Sequence, residues 1–427
     1  MAVVESLEDQ LSTLIAEIRH DVPTIDSWPD LDVSMALCKA LSDPDNSVAR
    51  FQARLFEDPI FGNLRNGWIE GQSSGYAFQD HMLPLALIRA ALKEGNSNDI
   101  IAEHRAFAAR RKSPLLNYFV IGGCSVDHSV EITRHLRLII WSDVPNSSTK
   151  NKFSSAKPNT LLSEADTIVP MQASAGCAIE FDPEENMNLF SVGEPQRNLS
   201  PEEYQREAAN HEGRYESVRD VVRCIFLLTV VPVDIIGSWH EATDAAARRL
   251  FGGGFSYGKA LFDHSLLWAS DAQIDGSMVK DQYIKISQFE VGMREVLRHA
   301  IDRLNLAKRR DNLVDRAIDL GISLEMLLLH GKNEKTELSF RIAMHGATFV
   351  GGSSSEQQTN FAIIKRAYQL RSDGVHSGRL KSRDVEKAQT DINAAINLAT
   401  VVALKVLDLG RFPNWESECL FSNSPLG

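Results

Sequence analysis

An arginine and a histidine lie five positions apart at residues 371–378, which read Arg-Ser-Asp-Gly-Val-His-Ser-Gly. A guanidinium is permanently charged and carries donors that match a phosphate, whereas an imidazole exchanges protons near neutral pH. Together they could cleave an RNA phosphodiester without a metal ion. The histidine would move protons, and the arginine would stabilise the charge that develops on the phosphorus oxygens. The products would carry a 2′,3′-cyclic phosphate and a 5′-hydroxyl.

Five residues on an unbroken helix would turn Arg371 and His376 about 140° apart. Gly374 stands between them, and glycine tolerates the backbone angles that end a helix. We therefore expect a break there, which would let both side chains face one cleft. The alternative is that Arg371 pairs with Asp373 or a helix end while His376 is an ordinary loop residue, because short spacings of this kind arise often by chance.

The elements that must position this motif are helical, since apolar residues recur there with a helical period. A separate run, Leu338-Ser339-Phe340-Arg341-Ile342-Ala343, opens one of these helices. The predicted helices of the C-terminal third span residues 289–306, 311–329, 337–350, 360–370 and 382–409.

The Arg-x4-His spacing, the run that contains Arg341 and the order of the helices resemble the Apea-like branch of the HEPN family. The resemblance covers roughly residues 287–410. It implies a C-terminal HEPN-like helical bundle, with Arg371 and His376 as catalytic residues of a metal-independent endoribonuclease. Ser372 follows the arginine, where many HEPN ribonucleases carry Asn, Asp or His; Apea-like members often have serine there.

The same resemblance implies a homodimer, because family members bring two copies of the motif together across a two-fold axis. RNA would be the partner, and the setting would be prokaryotic antiviral defence or toxin-like growth arrest. A non-catalytic HEPN-like module that dimerises, or that binds RNA or a protein, is the alternative. Three further arginines are candidate substrate-binding residues, with a solvated surface as the competing interpretation: Arg341, Arg366 and Arg379.

The rest of the chain predicts a mainly α protein with a β-containing middle region. We expect a helical region at 1–115, a mixed α/β region at 116–286 and the HEPN-like domain at 287–427. Strands are predicted at 118–121, 136–141, 167–169 and 177–181 from their β-branched and aromatic residues. Ser200, Pro201 and Glu203 form a capping box that predicts a long helix to about residue 231. Residues 62–75 are predicted to be a loop.

Charge is unevenly distributed along the chain, whose formal net charge is −12. Residues 285–410 hold 19 basic and 15 acidic side chains, whereas residues 1–284 hold 25 basic and 40 acidic ones. An RNA site would therefore be local to the C-terminal part, and the acidic part could respond to a trigger or restrain the nuclease. The five cysteines lack metal-ligand spacing, and the longest apolar run, 224–233, is too short to span a bilayer. We expect free thiols, a cytoplasmic protein, no membrane contact, no cofactor and no metal.

A competing motif, residues 253–259, matches the GxxxxGK spacing of a phosphate-binding loop. Ala260 occupies the position where such a loop needs Ser or Thr for magnesium, and the preceding residues predict a helix where a strand is required. A glycine-rich turn is the better interpretation. A nucleotide-binding switch remains the third alternative at this point.

Overall fold

The computed structural model describes most of the chain. The ranges are 5–25, 30–70, 75–147, 149–150, 161–162, 168–169, 175–191, 194, 200–250, 255–257, 272–330, 337–380 and 385–415. Every structural statement below concerns these residues.

The N-terminal region is a cluster of helices around its own apolar core. Leu11, Phe51, Phe61, Leu87 and Ile101 are among its fully covered side chains. Side-chain oxygens at several helix starts accept backbone N–H groups, which supplies the missing hydrogen bonds of a first turn. The helices are α1 Leu7–Asp21, α2 Asp30–Leu41, α3 Ser47–Leu55, α4 Pro59–Gly62, α5 Met82–Glu94 and α6 Ser97–Arg110.

An antiparallel sheet follows and is built around one long strand, β3. β3 pairs with β10, β9 and β11, and the order along the sheet is β2-β1-β10-β3-β9-β6-β5, with β11 paired to β3 on one side and to β12 on the other. Two short pairs, β13–β4 and β7–β8, lie outside this sheet. The strands are β1 Trp68–Glu70, β2 Gly75–Ala77, β3 Lys112–Gly122, β4 Ser125–Val126, β5 Val130–Thr133, β6 Leu136–Ile140, β7 Leu161–Leu162, β8 Ile168–Val169, β9 Ala175–Phe181, β10 Asn186–Phe190, β11 Asp234–Ala242, β12 Phe255–Tyr257 and β13 Gln273–Ile274.

A long helix, α7 Pro201–Thr229, links the sheet to the C-terminal helices. Its capping box forms as predicted: the Ser200 hydroxyl accepts the Glu203 N–H, and the Glu203 carboxylate accepts the Ser200 N–H. The C-terminal half of α7 is apolar and buried in the same core as the helices that follow. The remaining helices are α8 Ala245–Leu250, α9 Gly276–Gln288, α10 Val291–Arg309, α11 Leu313–Leu328, α12 Leu338–Val350, α13 Ser354–Ser377 and α14 Val385–Leu409.

Charged side chains tie α7 to α10 where the two helices cross. Arg223 is 5% exposed and forms a two-pronged ion pair with Asp302, while Asp220 on α7 accepts from Arg298 on α10. The sheet, α7 and the C-terminal helices therefore share one apolar core, and ion pairs also join α7 to α10.

The coarse prediction, a mainly α protein with a β-containing middle, is confirmed. The predicted loop at 62–75 was wrong in part, because β1 and the start of β2 lie there and pair with each other. β11 was not predicted at all. Cys38, Cys124, Cys177 and Cys224 are free thiols, as expected.

One described helix, α14, has the length and hydropathy that a bilayer-spanning helix would need, and half of its most apolar 18-residue window is buried inside the protein. Core helices of soluble proteins meet the same criterion. The apolar face of α14 packs on α10, α11, α12 and α13, which is a sufficient reason for its composition.

Candidate functional site

The motif lies at the C-terminal end of α13, which runs without a break from Ser354 to Ser377. The predicted break at Gly374 was therefore wrong. The helix ends four residues later, where Gly378 adopts a left-handed conformation with φ of 62° and donates its N–H to the Gly374 carbonyl. Arg371 and His376 are thus about 140° apart around one helix and about 7.5 Å apart along its axis. They do not face one cleft within a single chain.

Gly374 serves close packing instead of a helix break. A methyl group at this position would lie 3.2 Å from Val314 Cγ1 and 3.6 Å from Ile318 Cγ1, both on α11. The lack of a side chain lets α13 approach α11 closely, in an antiparallel pair. Glycine inside a helix costs about 1 kcal/mol relative to alanine, and tight packing is a usual reason to keep it.

Arg371 lies on the side of α13 that faces α11, with 24% of its side chain exposed. Its Nη2 atom is 3.2 Å from Glu325 Oε1, and its guanidinium carbon sits 5.4 Å from the ring centroid of Tyr368. The Tyr368 hydroxyl donates to the same Glu325 oxygen at 2.6 Å. The alternative named Asp373 or a helix end as the partner of Arg371, but the observed partner is Glu325 on α11.

Burial raises the pKa of the Tyr368 hydroxyl, and Glu325 adds to that effect, so the hydroxyl keeps its proton and donates it. The Nε atom of Arg371 is buried and has no hydrogen-bond partner in the described part of the chain. The guanidinium is therefore fixed by one carboxylate and one ring while part of its donor capacity is unused.

His376 is exposed in the last turn of α13, beside Val375, which is 50% exposed. Ser372, Val375 and His376 follow a spacing of three to four residues within the helix, so they line one outward strip. We refer to these three residues as the outer strip. The imidazole is therefore accessible to a bound ligand.

The three candidate substrate-binding arginines do not converge on the motif. Arg379 is exposed and follows the end of α13, three residues after His376 in the chain. Arg366 faces α14, where its Nε atom is 3.3 Å from the Asp391 carboxylate. Arg341 follows Phe340, whose ring packs on Phe361 near the start of α13. Ten residues of helix, about 15 Å, separate that contact from Arg371.

Three residues around Arg371 were not predicted from the sequence: Glu325, Tyr368 and Gly321, where an added methyl group would lie 2.9 Å from Arg371 Cβ. Gly321 and Glu325 are four residues apart on α11 and so share a face, and Tyr368 is three residues before Arg371 on α13. The spacing of Tyr368 and Arg371 was readable from the sequence. Their meeting with α11 was not, since 46 residues separate Glu325 from Arg371.

The alternative phosphate-binding loop loses its structural context. Gly253 and Lys259 lie outside the described residues, but α8 precedes the motif as a helix and Phe255–Tyr257 inside it pairs with β11 as a strand. A phosphate-binding loop needs the opposite order, a strand before and a helix after.

One group among the described residues has metal-ligand geometry, and it was not predicted. Potential ligand atoms of Asp127, His128 and Asp275 all lie within 4.8 Å of one another on the surface. Both carboxylates already accept N–H groups at the start of α9, from Gly276 and Ser277. The positive end of that helix already satisfies the negative charge that a cation would need.

No family model matches the chain, and neither a curated protein nor a solved structure matches it. The HEPN resemblance therefore stays a prediction that depends on the motif and the helix order.

Proposed function

We propose that the C-terminal helices form a HEPN-like bundle and that the protein is a metal-independent endoribonuclease. Arg371 would hold the phosphate and stabilise the transition state. His376 would carry the proton that leaves the ribose 2′-hydroxyl or reaches the departing 5′-oxygen. The family resemblance places this activity in prokaryotic defence or toxin-like growth arrest, with RNA as the substrate.

The observation that carries the proposal is the outer strip at the end of α13. It presents an exposed imidazole beside an exposed apolar side chain, Val375, with Arg371 at its margin, and the exposed Arg379 follows the helix end three residues after His376. The surrounding region, 285–410, has a small excess of basic side chains. An acid–base group beside cations is the minimum equipment for transesterification of RNA.

The continuous helix supports a working site that is shared by two copies of the chain. Arg371 and His376 are equally far from the midpoint of the motif. If two copies of α13 cross antiparallel at that midpoint, Arg371 of one copy lies level with His376 of the other. A two-fold interface repeats this pairing twice. Val375 supplies apolar surface that such a contact would bury.

The first test is cleavage of total RNA by the purified protein in EDTA, beside Arg371→Ala and His376→Ala. Wild type should cut, both variants should lose at least about a hundredfold in rate, and the products should carry 2′,3′-cyclic phosphate ends. His20→Ala and Arg54→Ala, exposed residues of the N-terminal region, are matched controls that should cut normally.

Mixing the two inactive variants tests the composite site. If the arginine and the histidine of one site come from different chains, half of the randomly paired dimers regain one of their two sites. The mixture then recovers about a quarter of the wild-type rate. A mixture that stays inactive, although its components exchange subunits, contradicts the shared site.

A second candidate function is favoured by the contact between Arg371 and Glu325. An internal counter-charge 3.2 Å from the guanidinium is also what a non-catalytic HEPN-like module would need in order to keep this arginine as a structural residue. Such a module would dimerise or bind RNA without cutting it. A wild-type protein that retains labelled RNA on a filter in EDTA but leaves it intact supports this second function.

A further inference from the structure

Gly321 leaves a gap in the surface of α11, which we call the notch, and the aliphatic carbons of Arg371 lie in it. A methyl group added to Gly321 would lie 2.9 Å from Arg371 Cβ and 3.1 Å from its Cδ, and closer still to its Cγ. Real side-chain carbons do not approach so closely. The Arg371 Cβ and Cγ atoms could not move away without displacing α13. Glycine at position 321 is therefore the condition for this position of the arginine.

The head of the same arginine is held from two sides. Glu325, one helical turn after Gly321, contacts its Nη2 atom, and the Tyr368 ring lies beneath the guanidinium. One oxygen, Glu325 Oε1, accepts from both the arginine and the tyrosine hydroxyl. Tyr368 is only 6% exposed, so its hydroxyl is a fixed point that keeps the carboxylate in place. The Glu325 carboxylate, the Tyr368 ring and the notch at Gly321 together favour one rotamer of Arg371.

The held guanidinium still has donors to offer. A guanidinium carries five N–H groups, of which the carboxylate contact engages one nitrogen. The buried Nε atom has no hydrogen-bond partner among the described residues, and a buried donor without a partner is unfavourable. Glu325 is 31% exposed, so water weakens its neutralising effect on the arginine. The Arg371 guanidinium is therefore oriented and charged, and part of its donor capacity is unused.

We propose that Gly321, Glu325 and Tyr368 form a seat that orients Arg371 toward a phosphodiester oxygen, which makes Glu325 a positioning residue. This inference rests on the proposed function, because the phosphodiester is its RNA substrate. Glu325 acts through the arginine and does not touch the reacting atoms.

The seat predicts a particular kinetic pattern. A displaced transition-state ligand lowers turnover more than ground-state binding, so Glu325→Gln and Gly321→Ala should each lower kcat about tenfold with KM nearly unchanged. Tyr368→Phe keeps the ring but frees the carboxylate, and it should lower kcat only a few-fold. Gly213→Ala is the matched control, because that helical glycine on α7 has open space around it.

A second readout does not need activity. The side-chain Nε–H of Arg371, assigned by its loss in Arg371→Lys, is followed by NMR of protein labelled with ¹⁵N at arginine Nε. The probe is a 2′-deoxy dinucleotide, which has the phosphodiester but lacks the attacking hydroxyl. Wild type should show one sharp Arg371 signal that shifts with the probe. Glu325→Gln and Gly321→Ala should broaden or move that signal and abolish its response.

The two readouts separate the two proposals. If RNA is cut and the kinetics and the Arg371 signal of both variants equal those of wild type, the seat is refuted while the nuclease stands. If the signal behaves as expected with the probe but RNA stays intact, the seat stands and the nuclease is refuted. A wild-type Arg371 signal that ignores the probe also overturns the seat.

Discussion

Replacing Arg223 by methionine should destabilise the protein strongly, because this guanidinium is buried among acids at the crossing of α7 and α10. Its Nε and Nη2 atoms donate to the two oxygens of Asp302, both at 2.8 Å. Its Nη1 atom donates to Glu216 at 2.9 Å and to Asp220 at 2.7 Å. Methionine matches the length of the side chain and favours a helix, but it has no charge and no donor.

The expected loss follows from what the remaining acids can do. Breaking a buried ion pair by removing one partner costs about 3–5 kcal/mol. Asp302 is 43% exposed and can regain water, whereas Asp220 is 5% exposed and keeps Arg298 as an ion-pair partner. We therefore expect the lower end of that range, about 3 kcal/mol, out of the roughly 5–15 kcal/mol that stabilises a typical folded protein.

The measurement is urea unfolding followed by circular dichroism, with Arg219→Met as the matched control. Arg219 is one turn earlier on α7, is 53% exposed and pairs with Glu216. Losing an exposed pair of this kind costs about 0–1 kcal/mol. If the free energy of unfolding of Arg223→Met equals that of Arg219→Met, the reasoning about the buried network is refuted.

Acid should weaken the wild type through His104, which is 1% exposed and whose pKa burial lowers to about 4. Stability from this neutral imidazole is complete above pH 6.5 and is lost as the pH falls toward 4. In urea unfolding, His104→Gln should therefore lose less stability than wild type over that interval, by at most about 3 kcal/mol. Equal losses would contradict this assignment. Gly346→Ala should cost about 1–3 kcal/mol, because the added methyl would lie 2.5 Å from Ile364 Cδ1 in the core. Gly213→Ala should instead raise the free energy of unfolding by about 1 kcal/mol. Equal changes in melting temperature for Gly346→Ala and Gly213→Ala would refute the packing argument.

Much of the local structure was predictable because its causes are local. The capping box at Ser200 and Glu203 sets the start of α7 from four consecutive residues. The apolar period of residues 311–329 marks α11, and the β-branched and aromatic run at 136–141 marks β6. Such elements follow from side-chain preferences that act within a few positions.

β11 shows where local preference was insufficient. It was not predicted, yet it pairs with β3 through eight residue pairs, from Asp234 opposite Gly122 to Ala242 opposite Leu115. The two strands are more than a hundred residues apart in the chain. What stabilises a strand is its neighbour, and nothing near residue 234 shows which neighbour it will have.

The candidate site, too, was predictable from the sequence only in part. The sequence alone was enough to propose the residues that could do chemistry, Arg371 and His376, and to locate them near a helix end. Only the tertiary structure decided that Gly374 packs against α11 where a break was expected, since a glycine permits both outcomes. It alone also decided that Glu325 lies beside Arg371, because contacts between helices depend on which faces pack and not on spacing along the chain.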